Sequence, residues 1–135
     1  MSKGISNTQR TLKLIRARGW KADIVERWLN IPGHPGGGKR KDLFGIIDII
    51  AMTGSGIVGV QSCGSSFSEH DKKILQTIES EDWISNGATL MLIGWRKILK
   101  NRKGKMKYWT PRTMLYAVEN DKIVGYENGE KHNRE

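Results

Sequence analysis

Two apolar runs joined by a short turn constrain the fold of this chain more than any other feature. LFGIIDIIAM occupies 43–52, GIVGVQSC occupies 56–63, and TGSG at 53–56 connects them. A connection this short favours an antiparallel hairpin. Both runs are hydrophobic on both faces, which is typical of central strands that are covered on each side of a sheet. The sequence therefore predicts a layered structure around this hairpin.

The flanking segments predict the layers. In chain order we expect a helix over 7–18, a strand over 21–29, a second helix beginning near Ser68 and a buried strand over 88–95. Ser6 with Gln9, and Ser68 with Asp71, fit the capping box that starts a helix. Together with the hairpin, these elements predict an α/β fold with an αβββαβ core, in which helices flank a mixed central sheet.

Basic residues are concentrated in two segments. NIPGHPGGGKRKD at 30–42 contains two prolines and four glycines, so we expect a mobile loop rather than regular structure. RKILKNRKGKMKYW at 96–109 predicts a strongly basic hairpin or loop, in which Trp109 could stack on a base.

The whole chain, 1–135, is about one domain long. We expect a core over about 6–100, a basic hairpin and C-terminal addition over 96–127 and a disordered tail over 128–135. Within the addition, Thr110 and Pro111 would start a helix well, yet the following residues also alternate like a hairpin, and both possibilities stay open.

Composition narrows the partners and the chemistry. Lys and Arg number 23 against 14 Asp and Glu, a formal net charge of +9, and this favours nucleic acid as a partner over an anionic membrane. Cys63 is the one cysteine, so an internal disulfide is excluded, and no Cys/His spacing fits zinc. The N-terminus lacks the apolar region of a signal peptide and no apolar run is long enough to span a membrane, so we expect a cytoplasmic protein.

One polar side chain interrupts each strand of the central hairpin. A charged Asp48 inside an apolar strand is costly unless it is paired or binds a metal, so we expect it at a strand end or bend. Gln61 lies at a similar distance from the turn on the other strand, and the two side chains can converge. With the backbone carbonyl of Ser62 beside them, they predict an oxygen-ligand site for Mg²⁺ or Mn²⁺.

The pattern IDIIA, a hairpin and then GVQSC resembles the PD-(D/E)XK nuclease superfamily, in particular its Holliday-junction-resolvase-like and phage-encoded endonuclease branches. The resemblance extends over about 8–95 and includes TLKLIRARGW, VERW and LIGWRK. It implies a restriction-endonuclease-like fold and a magnesium-dependent endodeoxyribonuclease that acts on branched or structured DNA. It also implies a role in DNA recombination, and it admits a homodimer and a phage-encoded protein in the host cytoplasm.

The resemblance assigns roles to individual residues. It implies that Asp48 binds the metal and that Gln61 replaces the usual Glu ligand, whereas Cys63 stands where the catalytic Lys is expected. Gln9 falls near the position of an acidic residue on the first helix, so Glu26, and further Asp42, are candidates for the missing negative charge. Lys72 or Lys73 is a candidate for the displaced lysine; otherwise the metal works alone or the enzyme is impaired.

We expect phosphate contacts from three groups of residues. These are Lys39, Arg40 and Lys41 in the glycine-rich segment, Ser65 and Ser66 after the central hairpin, and Arg96, Lys97, Arg102, Lys103 and Lys105 in the second basic segment. A nucleic-acid-binding module that has lost catalysis is the second hypothesis, and a protein whose basic loops bind an acidic protein is the third.

Overall fold

The computed structural model describes residues 4–99 and 104–132, which contain three α-helices and nine strands. The helices are α1 (Asn7–Ala17), α2 (Phe67–Gln76) and α3 (Ile78–Ser85). The strands are β1 (Lys21–Ile24), β2 (Arg27–Asn30), β3 (Gly38–Lys41), β4 (Ile49–Met52), β5 (Ile57–Cys63), β6 (Thr89–Leu99), β7 (Lys107–Glu119), β8 (Lys122–Glu127) and β9 (Glu130–Lys131). No helix in these ranges is long and apolar enough to cross a membrane.

Seven strands form one mixed sheet in the order β1-β4-β5-β6-β7-β8-β9. β5 and β6 are parallel, and the other neighbours are antiparallel. The connection from β5 to β6 carries α2 and α3, as a parallel crossover requires. The predicted α/β class with a mixed central sheet and helices is confirmed.

Hydrophobic side chains cover β4 and β5 on both faces, as the two apolar runs predicted. On one face, Leu12 and Ile15 of α1 pack in a cluster with Ile49 and Val60. On the other face, a second cluster joins residues of α2 to the sheet. A side chain at Gly59 would be 2.6 Å from Ile47, so this glycine permits the second layer to pack closely against β5.

The segment predicted as one strand over 21–29 forms two separate strands, so the prediction of a single strand is wrong. It divides into β1, which pairs with β4, and β2, which leaves the main sheet and pairs with β3. The prediction of an irregular loop over 30–42 is consequently wrong for Lys39, Arg40 and Lys41, which lie in β3. The prolines and glycines supply only the turn between the strands, because local turn signals do not show where the chain resumes pairing.

The first apolar run is a strand only from Ile49. Before it, Leu43 and Ile47 form an isolated bridge around a tight turn, in which Phe44 and Gly45 both have positive φ, 55° and 76°. The turn ends immediately before Asp48, whose backbone N–H donates to Val60 O at 2.9 Å. Asp48 therefore lies at a bend before β4, as its charge predicted.

Of the two capping boxes predicted from the sequence, one starts a helix and the other does not. Ser6 caps α1 by accepting a hydrogen bond from the backbone N–H of Gln9, as predicted. The second capping box is wrong: α2 begins at Phe67, and Asp71 is buried and accepts a hydrogen bond from the Tyr116 hydroxyl. The Asp71 side chain, which the sequence pattern predicts as part of a helix cap, is instead bound to Tyr116 of β7.

The C-terminal part is entirely β structure in the described residues. β6 and β7 pair over ten residues, so residues 96–99 and 107–109 of the predicted basic segment lie in paired strands. The alternative of a helix starting at Pro111 is wrong; Pro111 lies in β7 opposite Trp95, in a part that β8 does not reach, and proline is tolerated at such an edge. Asn120 and Asp121 turn the chain with positive φ, and the expected disorder over 128–135 is wrong where β9 forms.

Candidate metal centre and nucleic-acid surface

Three carboxylates meet at the junction of the β2–β3 hairpin with the main sheet. Oxygen atoms of Glu26, Asp42 and Asp48 lie within 4.8 Å of one another. Arg27 pairs with Lys41 at the base of the hairpin, so Glu26 and Asp42 are the next residue outward on each chain. Asp48 is held against them because its carbonyl accepts from the Val25 N–H at 2.9 Å.

Gln61 completes the cluster from β5. Its side-chain nitrogen donates to Asp42 Oδ2 and to Asp48 Oδ2, both at 3.0 Å. The backbone N–H of Ser62 donates to the same Asp48 oxygen at 3.0 Å. The predicted convergence of Asp48 and Gln61 is therefore present, while the ligand role of the Ser62 carbonyl stays a prediction.

Two buried oxygen atoms in this cluster lack a hydrogen-bond partner among the described residues. They are Asp48 Oδ1 and Gln61 Oε1, on side chains that are each 2% exposed. Leaving such atoms unpaired away from water costs about 1–3 kcal/mol each. Both oxygens belong to side chains of the same cluster, where a cation would offer them the missing partner.

Two carboxylates of the cluster, those of Asp48 and Glu26, hold their negative charge less readily than free carboxylates do, because their surroundings raise their pKa values. The pKa of Asp48 is raised to about 7, mainly by burial and also by the charges of Asp42 and Glu26, against the lowering effect of the hydrogen bonds from Ser62 and Gln61. The pKa of Glu26 is also raised, first by burial and then by Asp42, against the lowering effect of Arg40. Arg40 lies 3.4 Å from Glu26 but is largely exposed, so it compensates little of the negative charge.

Asp42 connects the cluster to a cleft of about 750 Å³, called here the charged cleft. Asp42 lines this cleft together with Arg27, Lys41, Phe44 and Glu79. A ligand in the cleft would reach one carboxylate of the cluster directly and two cationic side chains beside it. The atoms of this cluster that could bind a metal are all oxygens. Oxygen ligands suit Mg²⁺, Mn²⁺ or Ca²⁺, whereas a metal that prefers thiolates would need cysteine.

Comparisons with protein-family models, curated proteins and solved structures found no match for this chain. Its function is therefore inferred from the residues themselves.

The position expected to hold a catalytic lysine contains a packed thiol. Cys63 is buried, its sulfur lies beside Gly94, and burial raises its thiol pKa to about 11. Lys72 and Lys73 are exposed on α2. Lys73 is near enough to oppose the rise in the Cys63 pKa, yet neither lysine makes an ion pair with the three carboxylates within the described ranges. Their catalytic role stays a prediction.

The residues expected to contact phosphate occupy separate parts of the surface. Lys39, Arg40 and Lys41 are exposed on β3, Arg96 and Lys97 are exposed on β6, and Lys105 is exposed before β7. Ser65 is exposed and Ser66 is half-buried, with a 3.1 Å contact between its hydroxyl and His70 Nδ1. Arg102 and Lys103 lie outside the described residues.

A group of cationic and tryptophan side chains joins α1 to the β6–β7 hairpin. The sequence did not reveal this group, which we call the cationic group. The Arg10 guanidinium carbon is 3.9 Å from the ring centroid of Trp109 and 5.7 Å from that of Trp95, and Lys97 Nζ is 5.1 Å from Trp109. The outward position of Arg10 on its helix was the available signal. Its aromatic partners are about 85 to 100 residues away in the chain, so only the folded sheet brings them together.

Hydrogen bonds connect this group to the acidic cluster. Trp95 Nε1 donates to Thr11 Oγ1 at 2.8 Å, and the hydroxyls of Thr11 and Ser62 are 2.7 Å apart. The Ser62 N–H in turn donates to Asp48. Ser62 near the end of β5 thus links the carboxylates, through its N–H, to the cationic group, through its hydroxyl.

Proposed function

We propose that this protein is a Mg²⁺- or Mn²⁺-dependent endonuclease that hydrolyses phosphodiester bonds in branched or structured DNA. The observation that carries the proposal is the cluster of Glu26, Asp42, Asp48 and Gln61, in which two buried oxygens have no partner among the described residues. A divalent cation bound there would polarise a scissile phosphate and lower the pKa of an attacking water.

The order of elements supports a restriction-endonuclease-like core. Apart from α3 and the β2–β3 hairpin, the element order is αβββαβ, formed by α1, β1, β4, β5, α2 and β6, and in this core only β5 and β6 are parallel neighbours. Asp48 precedes one strand of the central pair and Gln61 lies on the other, as the PD-(D/E)XK resemblance implies. The β2–β3 hairpin is an insertion between β1 and β4, and Glu26 and Asp42 at its two ends supply carboxylates in place of the acidic residue that α1 lacks.

The residues around the cluster divide the work of binding DNA. Glu26, Asp42, Asp48 and Gln61 would hold the cation, and the Ser62 N–H and the Gln61 amide orient Asp48. Arg27 and Lys41 line the charged cleft, where they can bind the phosphates next to the scissile bond. Arg10 and the exposed cations of β3 and β6 can bind the backbone farther away. A second copy of the chain would suit a symmetrical junction, so we include a homodimer in the proposal.

Cleavage assays test this function directly. We expect cleavage of Holliday-junction or flap substrates, in Mg²⁺ or Mn²⁺, to exceed that of linear duplex, and Asp48→Asn to abolish it. Asp121→Asn, in the exposed β7–β8 turn, is the matched control and should cleave normally. Undiminished cleavage by Asp48→Asn would show that the site is assigned wrongly.

A second candidate is a DNA-binding module that has the fold but not the catalysis. The buried, neutral thiol of Cys63 at the position of the lysine favours this alternative. Calorimetric titration with Mn²⁺ separates the two when it is combined with the cleavage assay. Metal binding that depends on Asp48, together with cleavage, supports the enzyme, whereas salt-dependent DNA binding without metal binding or cleavage supports the module.

A further inference from the structure

A second cleft adjoins the charged cleft. Its volume is about 480 Å³, and Phe44 and Glu79 line both clefts. The wall of this second cleft, called here the apolar cleft, also includes Ile57, Trp83 and Ala88. The Phe44 and Trp83 rings are 6.3 Å apart, centroid to centroid. A molecule bound at the carboxylates could therefore extend past Phe44 into the apolar cleft.

Phe44 occupies a backbone conformation that disfavours it. Its φ is 55°, in the left-handed region where glycine or asparagine is the usual residue, and its side chain is exposed at 53%. The turn is fixed by hydrogen bonds from the Gly45 N–H to Asp42 O and from the Ile47 N–H to Leu43 O, both 3.0 Å. A large exposed aromatic ring at such a position gains little for folding, and strained residues of this kind concentrate at functional sites.

We propose that the apolar cleft receives one unpaired nucleobase of DNA bound at the metal centre, and that Phe44 stacks on this base. The inference rests on the proposed function and adds a source of preference for structured DNA. Phe44 lies two residues after Asp42, so a nucleotide whose phosphate is at Asp42 would have its base near the Phe44 ring. A base in a continuous duplex is stacked and paired and could not enter.

The polar residues of the apolar cleft select a base over other occupants. Glu79, Asp82 and Asn86 line it beside the aromatic rings. The two carboxylates repel phosphate but accept hydrogen bonds from the amino groups of bases, and Asn86 offers a side-chain amide. An entirely apolar partner would bury these carboxylates without compensation. A volume near 480 Å³ is within the range of small-molecule sites and is ample for one base.

Binding to matched DNA bulges tests this inference. The full chain is titrated, by fluorescence anisotropy in Ca²⁺, with a duplex carrying a bulge of unpaired cytosines and with the same duplex carrying an abasic bulge. We expect the cytosine bulge to bind about tenfold more tightly, the effect of one stacked base. Phe44→Gly should abolish the difference without weakening the binding of perfect duplex, and Phe44→Trp should preserve it.

Controls separate this inference from the proposed function. Leu115→Ala removes an exposed apolar side chain elsewhere on the sheet and should keep the preference. Circular dichroism and thermal melting establish that Phe44→Gly is folded, and Phe44→Asn, which also tolerates positive φ, provides a second ring deletion. Equal affinity of the unaltered protein for both bulges, or an unchanged preference in folded Phe44→Gly, would overturn the nucleobase cleft alone. Failure to bind any of the DNAs or a divalent cation would overturn the proposed function as well.

Discussion

The side-chain nitrogen of Gln61 lies 3.0 Å from Asp48 Oδ2, and this bond turns both amide and carboxylate so that one oxygen of each stays buried and unpartnered among the described residues. An amide is the neutral counterpart of the carboxylate expected at this position. It donates to two carboxylates that would otherwise repel each other, and it still offers an oxygen to a cation. These two hydrogen bonds offset part of the repulsion between the carboxylates.

Gln61→Glu should lower the stability of the metal-free protein and raise its affinity for a divalent cation. The change replaces two donated hydrogen bonds with a fourth negative charge, so we expect a lower melting temperature in EDTA by several degrees. Binding of Mn²⁺ should strengthen by about tenfold or more, since an additional charged ligand favours the divalent cation. Differential scanning calorimetry with and without Mn²⁺ measures both effects. An unchanged metal-dependent shift would place the cation elsewhere.

The stability of the metal-free protein should fall as the pH rises. Burial raises the pKa of Asp48 from an ordinary 3.8 to about 7, so between these values the folded state holds a proton that the unfolded state has released. Unfolding then becomes easier by up to about 1.4 kcal/mol per pH unit, and the loss levels off above pH 7. Urea unfolding in EDTA from pH 4 to pH 8 tests this, with Asp48→Asn expected to flatten the profile.

Divalent cations should reverse that trend. Metal binding requires the ionised carboxylate, so Mg²⁺ or Mn²⁺ should stabilise the protein more at pH 8 than at pH 5. At a free metal concentration of 100 times the dissociation constant, the gain is about 2.7 kcal/mol. A stabilisation by metal that is independent of pH would contradict the assignment of Asp48 as a ligand.

Cys63 should behave as a structural thiol. Because it is buried and its pKa is raised to about 11, it carries almost no thiolate at neutral pH. Ellman's reagent should react with the native protein far more slowly than with the protein unfolded in guanidinium chloride. Cys63→Ala should leave any cleavage activity within about threefold of the original, whereas rapid labelling of native protein would indicate an exposed, reactive group.

Arg10 should contribute one phosphate contact. Arg10→Ala removes the cation held over Trp109, so we expect weaker DNA binding and a salt dependence, log K against log salt, that is shallower by about one. Anisotropy titrations at several salt concentrations measure this slope. Arg18→Ala, at the other end of α1 beside Trp20, is the matched control and should keep the full slope. Equal slopes for the two variants would remove Arg10 from the interface.

The sequence by itself determined the central hairpin, the bend at Asp48 and the start of α1. These features depend on residue periodicity, turn residues and the cost of burying a charge, all of which act over a few neighbouring residues. Asp48 and Gln61 were paired correctly because the short turn between their strands fixes which residues face each other.

Only the tertiary structure decided which other groups join them. Glu26 and Asp42 are sixteen residues apart and meet because β2 leaves the main sheet to pair with β3, an outcome that Gly and Pro signals between them do not encode. Arg10 meets Trp109, and Asp71 meets Tyr116, for the same reason. Which strands pair depends on contacts between segments that are distant in the chain, and a local sequence pattern does not contain that information; the pairing in turn determined the composition of the site.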